Sequence, residues 1–165
     1  MMQARIRQMY LPAVVALGLV AALAGTAFAQ SSNSQVGTWK QNVAKSKYSA
    51  GTAVKSGTTT IEAAGTGVKY TIDSADAGGT VRHWTYTANY DGKDNPITGN
   101  SQNGDTAAIT RVDANTTHTV YKKGGKVSVT MTSVVSSDGK TRTNTSKGTN
   151  VLGQTVNNVQ VYDKQ

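Results

Sequence analysis

The chain has 165 residues, no cysteine, and a formal charge of +8 that falls to +6 once Arg5 and Arg7 leave with an N-terminal export segment. That length allows one domain with a modest core, and the missing cysteines exclude disulfide staples, so sheet hydrogen bonds and packing must hold the fold. The lysines are scattered, with one tighter group at Lys122, Lys123 and Lys126. They read as a solvated surface, with attraction to an anionic envelope polymer or membrane surface as the functional alternative.

Arg5 and Arg7 make a basic start, Leu11 to Ala24 is an uncharged run, and Ala27-Phe28-Ala29 is a small-x-small cleavage signal. The apolar run is short for a bilayer span, which needs about 20 residues. Residues 1–29 are therefore expected to form a signal helix cleaved after Ala29 by a Sec-type route, leaving residues 30–165 as a single bacterial domain, periplasmic or secreted. No cysteine follows the signal, which excludes a lipid-anchored lipoprotein, and the unpaired arginines speak against twin-arginine export.

Gln30 to Gln35 is polar and reads as a flexible leader. The first strand is predicted from about Gln35 to Val43, with Gly37 and Trp39 on one face. In a small barrel the glycine lets another backbone come close, while the indole plugs the base. Ala44 to Gly57 lacks a helical stripe and reads as a loop; Thr58 to Glu62 is β-branched, and Ala64 to Gly67 turns it back. Val68 to Asp73 alternates apolar and polar residues, the period of a half-buried strand. Val81 to Tyr90 places Arg82, Trp84, Tyr86, Ala88 and Tyr90 on one face, and Asp91-Gly92 reads as a hairpin turn.

Asp94 to Asp105 is the longest irregular piece, with only Ile97 as a short strand contact. Strands are then predicted over Thr106 to Val112, Thr116 to Lys122, Lys126 to Val135, Lys140 to Thr149 and Thr155 to Asp163. Gly124-Gly125 and Asp138-Gly139 supply hairpin turns between them. Turn glycines spaced this closely suit a meander rather than βαβ units. The expected fold is all-β: an up-and-down antiparallel β-barrel of eight to ten strands, closed because closure removes exposed edges.

The chemistry is sparse. His83 and His118 are the only histidines, and neither has a second ligand type at metal-site spacing. The acidic residues sit mostly at turns (Asp91, Asp94, Asp105, Asp113 and Asp138), where Asp serves local backbone bonding. No carboxylate pair suits acid–base work, and no Gly-x-Ser-x-Gly elbow marks a nucleophile. No enzyme activity, metal or cofactor is expected. Arg82, Trp84 and Tyr86 would give an aromatic wall with one cation, enough to orient a polar-headed ligand; the plainer reading is a core strand with Arg82 snorkelling out at its end. Arg142 and Asn144 face one way on a strand almost without apolar groups, which implies either a wet barrel wall or a poorly buried edge.

Gly37-Thr38-Trp39-Lys40 resembles the Gly-x-Trp signature of the lipocalin and fatty-acid-binding (calycin) group. Val161-Tyr162-Asp163-Lys164 resembles the closing strand of fatty-acid-binding proteins, and Asp138-Gly139-Lys140 starts the penultimate strand in similar order. The chain is also similar to small secreted bacterial proteins of unknown role with a lipocalin-like barrel. The resemblance implies a cavity for apolar ligands, with Gln160 and Tyr162 at the positions where fatty-acid-binding proteins carry a ligand-holding arginine and a tyrosine. Gln160 replaces that arginine, Val127 to Ser137 has no Lys or Arg, and Ala44 to Gly57 is too short for the family's two-helix lid. A deep carboxylate clamp of the family's kind is therefore not expected.

The reading that results is an exported barrel binding a small apolar or amphipathic molecule at Arg82, Trp84, Tyr86, Gln160 and Tyr162. A neutral or weakly polar ligand is expected, with no nucleic-acid partner, no stable membrane insertion after cleavage, and a monomeric state. The alternative is a structural or interaction protein of the cell envelope with no small-molecule ligand. An outer-membrane barrel is opposed by Lys140 to Thr149, polar on both faces, and by the Lys164-Gln165 end.

Overall fold

A computed structural model of the protein describes residues 33–165, so the expected signal helix and its cleavage site lie outside the described residues. Within them every regular element is a strand: β1 (Gly37–Lys47), β2 (Val54–Ala64), β3 (Gly67–Asp76), β4 (Val81–Ala88), β5 (Asn95–Pro96), β6 (Thr98–Gly99), β7 (Thr106–Arg111), β8 (Thr116–Lys123), β9 (Lys126–Val135), β10 (Thr141–Thr149) and β11 (Thr155–Lys164). They form one sheet in the order β5-β7-β8-β9-β10-β11-β1-β2-β3-β4-β6, with antiparallel pairing throughout. The result is an all-β, nearly closed antiparallel barrel. The first and last strands are neighbours inside the sheet, where β1 pairs β11 through Trp39↔Lys164 and Gln41↔Tyr162.

The strand count is eleven rather than eight to ten. The excess comes from the segment read as irregular. Asp91-Gly92 does not make a hairpin: Asp91 bridges to Thr110 and the Gly92 N–H donates to Ile109 O at 2.9 Å, which carries the chain away from β4 toward β7. Asn95–Pro96 then pairs with β7, and Thr98–Gly99 pairs back with β4. The two edges of the sheet are thus two residues apart in sequence, joined through Ile97, whose side chain packs on the core. Gly99 makes this seam possible. Its φ is +105°, and a Cβ there would lie 2.2 Å from His83 O.

Two boundaries near the N-terminus also differ from expectation. β1 runs on to Lys47 because the ladder with β11 bulges after Asn42 and resumes at Lys47↔Val159. Ser46 bridges the bulge, its hydroxyl donating to Asn42 O at 2.8 Å and accepting from the Val161 N–H at 3.0 Å. The loop shrinks to residues 48–53. Gln35, read as part of a flexible leader, is 1 % exposed and belongs to the barrel base.

The core gathers Trp39, Ile61, Val68, Tyr70, Trp84, Tyr86, Ile109, Tyr121, Val129 and Tyr162 with smaller neighbours. In β4 the alternation follows the sequence: Trp84, Tyr86 and Ala88 point inward, and Val81, His83 and Thr87 are exposed. Period-two alternation on a sheet with one wet face accounts for this.

Candidate functional site

The barrel interior holds a partly open cavity of about 120 Å³, lined on one side by aromatic residues and on the other by polar ones. The aromatic side is set by strand register. Tyr70 of β3 and Tyr86 of β4 are direct cross-strand partners, and their rings stack at 4.8 Å with 2° between planes. Trp84, two residues before Tyr86 and on the same face, stacks on it at 5.7 Å. Tyr121 of β8 meets both edge-on, at 6.0 Å from Trp84 and 6.4 Å from Tyr86. Offset and edge-to-face geometries of this kind add to the area these rings bury.

The polar side comes from β10 and β11, whose register sets Arg142 beside Tyr162, Asn144 beside Gln160 and Ser146 beside Asn158. All six line the cavity. β10 is therefore a buried polar wall between β9 and β11, and the edge-strand alternative is overturned. Arg142, Asn144 and Ser146 are 1 %, 4 % and 5 % exposed. Asn144 Oδ1 and the Tyr86 hydroxyl are buried without hydrogen-bond partners among the described residues.

The structure brings Arg82, Trp84, Tyr86, Gln160 and Tyr162 to this one cavity. Arg82 is not simply reaching into solvent. It is half-buried, with Nη2 3.4 Å from Asp76 Oδ2, and in the amide orientation that satisfies both groups Gln102 accepts from its Nε at 3.0 Å. Thr52, Asp73, Gln102 and Asn150 also border the cavity. The Gln102 segment is tied to the turn after β10 by the Val151 N–H, which donates to Gln102 O at 2.9 Å.

Gly37 and Trp39 do not line the cavity. Trp39 is fully buried, its indole N–H donating to Gln35 O at 2.9 Å, and Lys164 Nζ lies 5.1 Å from its ring. The close neighbour of Gly37 is a side chain rather than the expected backbone: a Cβ there would lie 2.7 Å from Lys164 Cε.

Arg142 is the site's main feature, and only its facing was legible beforehand. Its Nε donates to Gln35 Oε1 at 3.0 Å and its Nη2 to Ser133 Oγ at 3.0 Å, and its guanidinium carbon lies 5.8 Å from the Tyr70 ring centre. All these partners are neutral. Burial pushes the phenols of Tyr70, Tyr86, Tyr121 and Tyr162 up, the last to about 12, while the Arg142 charge pulls each of them down. All four therefore keep their protons at neutral pH. Arg142, Tyr70, Tyr121 and Gln35 were missed because their placement depends on register across the barrel, which no local pattern encodes.

The histidines lie apart from this chemistry. His83 Nδ1 is 2.7 Å from Asp73 Oδ1 at an exposed position, and His118 Nδ1 is 3.4 Å from Thr132 Oγ1. Among the described residues no group of three or more metal-ligating side chains comes together. No protein-family model, curated protein or solved structure matches the chain.

Proposed function

We propose that this protein is an exported, non-enzymatic barrel that binds a small apolar or amphipathic molecule, and that it is a relative of the lipocalin and fatty-acid-binding barrels. One observation carries the reading: an interior cavity walled by stacked Tyr70, Tyr86 and Trp84 and faced by polar side chains. A concave site in which aromatic side chains face converging polar groups can both hold and orient a small amphipathic molecule. Kinship with the calycin barrels is supported by the pairing of Trp39 with Lys164 and of Gln41 with Tyr162, which joins the two sequence signatures across one pair of strands.

Few anchors imply modest affinity, around micromolar, or about −8 kcal/mol. The test is native mass spectrometry of the protein purified from its own host, together with titration of small apolar compounds followed by tryptophan fluorescence. Trp84 borders the cavity and Trp39 does not, so Trp84→Phe should remove the ligand-dependent signal. If no compound perturbs Trp84 and the purified protein carries no extra mass, the envelope-interaction reading takes its place.

A further inference from the structure

We propose that the cavity's ligand is a small organic anion, a carboxylate on a single ring or short chain, with the Arg142 guanidinium as its counter-charge. The inference rests on the binding-barrel reading above and adds the charge and size of what is bound.

Arg142 is 1 % exposed, and its guanidinium is a fixed positive charge. A buried charge carries a heavy desolvation penalty and is ordinarily matched by an opposite one. No Asp or Glu oxygen lies within 4.0 Å of Arg142 among the described residues, and residues 1–32 contain no Asp or Glu. Its partners, Gln35 and Ser133, are neutral and take only part of the guanidinium fork.

The second arginine of the cavity provides the contrast. Arg82 has its carboxylate, Asp76, at 3.4 Å. The one acidic residue that borders the cavity, Asp73, is exposed and held by His83 at 2.7 Å. The charge left unmatched in the cavity is therefore positive and belongs to Arg142. A carboxylate suits it, since the planar fork of an arginine matches two carboxylate oxygens.

Size narrows the class. The cavity is about 120 Å³, and an engineered protein cavity of about 150 Å³ accepts benzene. A single ring or a short chain is the apolar body on the scale of that volume. The net charge of +6 on residues 30–165 favours the approach of an anion.

The test titrates the mature protein with benzoate and hexanoate against their neutral counterparts benzamide and hexanamide, with inorganic phosphate as the anion lacking an apolar body. Calorimetry and Trp84 fluorescence are the readouts. Each carboxylate is expected to bind about tenfold or more tightly than its amide, as a charge-assisted pair to a buried arginine implies, and phosphate not to compete. Arg142→Met should erase the preference for the carboxylate over the amide, and Arg142→Lys should keep part of it. Should Arg142→Met not fold, the wild-type comparison decides alone. Amides binding as well as carboxylates would overturn the anion inference and leave the binding barrel standing. Phosphate displacing benzoate would overturn the organic-ligand assignment, and failure of every probe would overturn the anion inference, while the binding-barrel reading would fall only if the host-purified protein also carried no extra mass.

Discussion

Gln35 joins Trp39 to Arg142. Its main-chain oxygen accepts the Trp39 indole N–H at 2.9 Å, and its side-chain oxygen accepts Arg142 Nε at 3.0 Å. Its amide nitrogen in turn donates to Asn115 O at 2.8 Å, on the turn between β7 and β8. One buried glutamine thus couples the base of the barrel to the charged wall of its cavity.

Replacing Gln35 separates these roles. Gln35→Leu keeps the main-chain acceptor for Trp39 but removes the partner of a buried charge, and should cost about 2–3 kcal/mol in urea melts. Gln35→Glu would instead set a carboxylate against Arg142 at the same reach. It also puts an oxygen in place of the amide donor to Asn115 O, so the melt should fall less than in Gln35→Leu rather than rise, and benzoate binding should weaken by about tenfold or more, because the cation is already matched. Undiminished benzoate binding in Gln35→Glu would mean that Arg142 is not the anion's partner.

Trp39 is fully buried and hydrogen-bonded, so Trp39→Ala should cost about 3–5 kcal/mol. Urea denaturation measures it. A loss under about 1 kcal/mol would show that the indole does not hold the barrel base.

The seam between β4 and β6 depends on Gly99. Gly99→Ala would set a methyl group 2.2 Å from His83 O and 2.8 Å from Trp84 Cα, in a backbone region that favours glycine. The edge must then part, at about 1–3 kcal/mol. Hydrogen exchange should quicken at the Asn100 amide, which donates to His83 O at 3.1 Å. Unchanged protection there would show that the seam does not rely on this contact.

The pH dependence has two arms. The buried tyrosines are raised above their ordinary 10.0 by desolvation, Tyr162 to about 12. A phenol raised in the folded state contributes stability that is complete below its unfolded value and lost as pH climbs through the folded one. Stability should therefore hold up to about pH 10 and fall toward about pH 12, with ultraviolet titration showing these phenols ionising only as the fold is lost. On the acid side, Asp76, Asp105 and Asp113 are held below 3.8 chiefly by the backbone N–H groups of Thr80, Gly124 and Asn115, and Asp138 chiefly by the Ser136 hydroxyl. Depressed carboxylates contribute stability above the unfolded value, so the protein should weaken as pH falls below about 4. A melt flat from pH 5 to pH 2 would contradict that.

The sequence alone was enough for the all-β class, the hairpins at Gly124-Gly125 and Asp138-Gly139, and the inward face of Trp84 and Tyr86. These follow from local rules: alternation with period two, and turn residues that accept positive φ. Tertiary structure alone decided the closure through Asn95–Pro96 and Thr98–Gly99, because two-residue strands have no pattern of their own and form only where two longer edges already stand close. It also decided that Arg142 is buried, since a polar strand reads alike as a wet edge or as an interior wall until its neighbours are known. The charge of the cavity is a property of register across β9, β10 and β11, and register is set by the whole barrel rather than by any one strand.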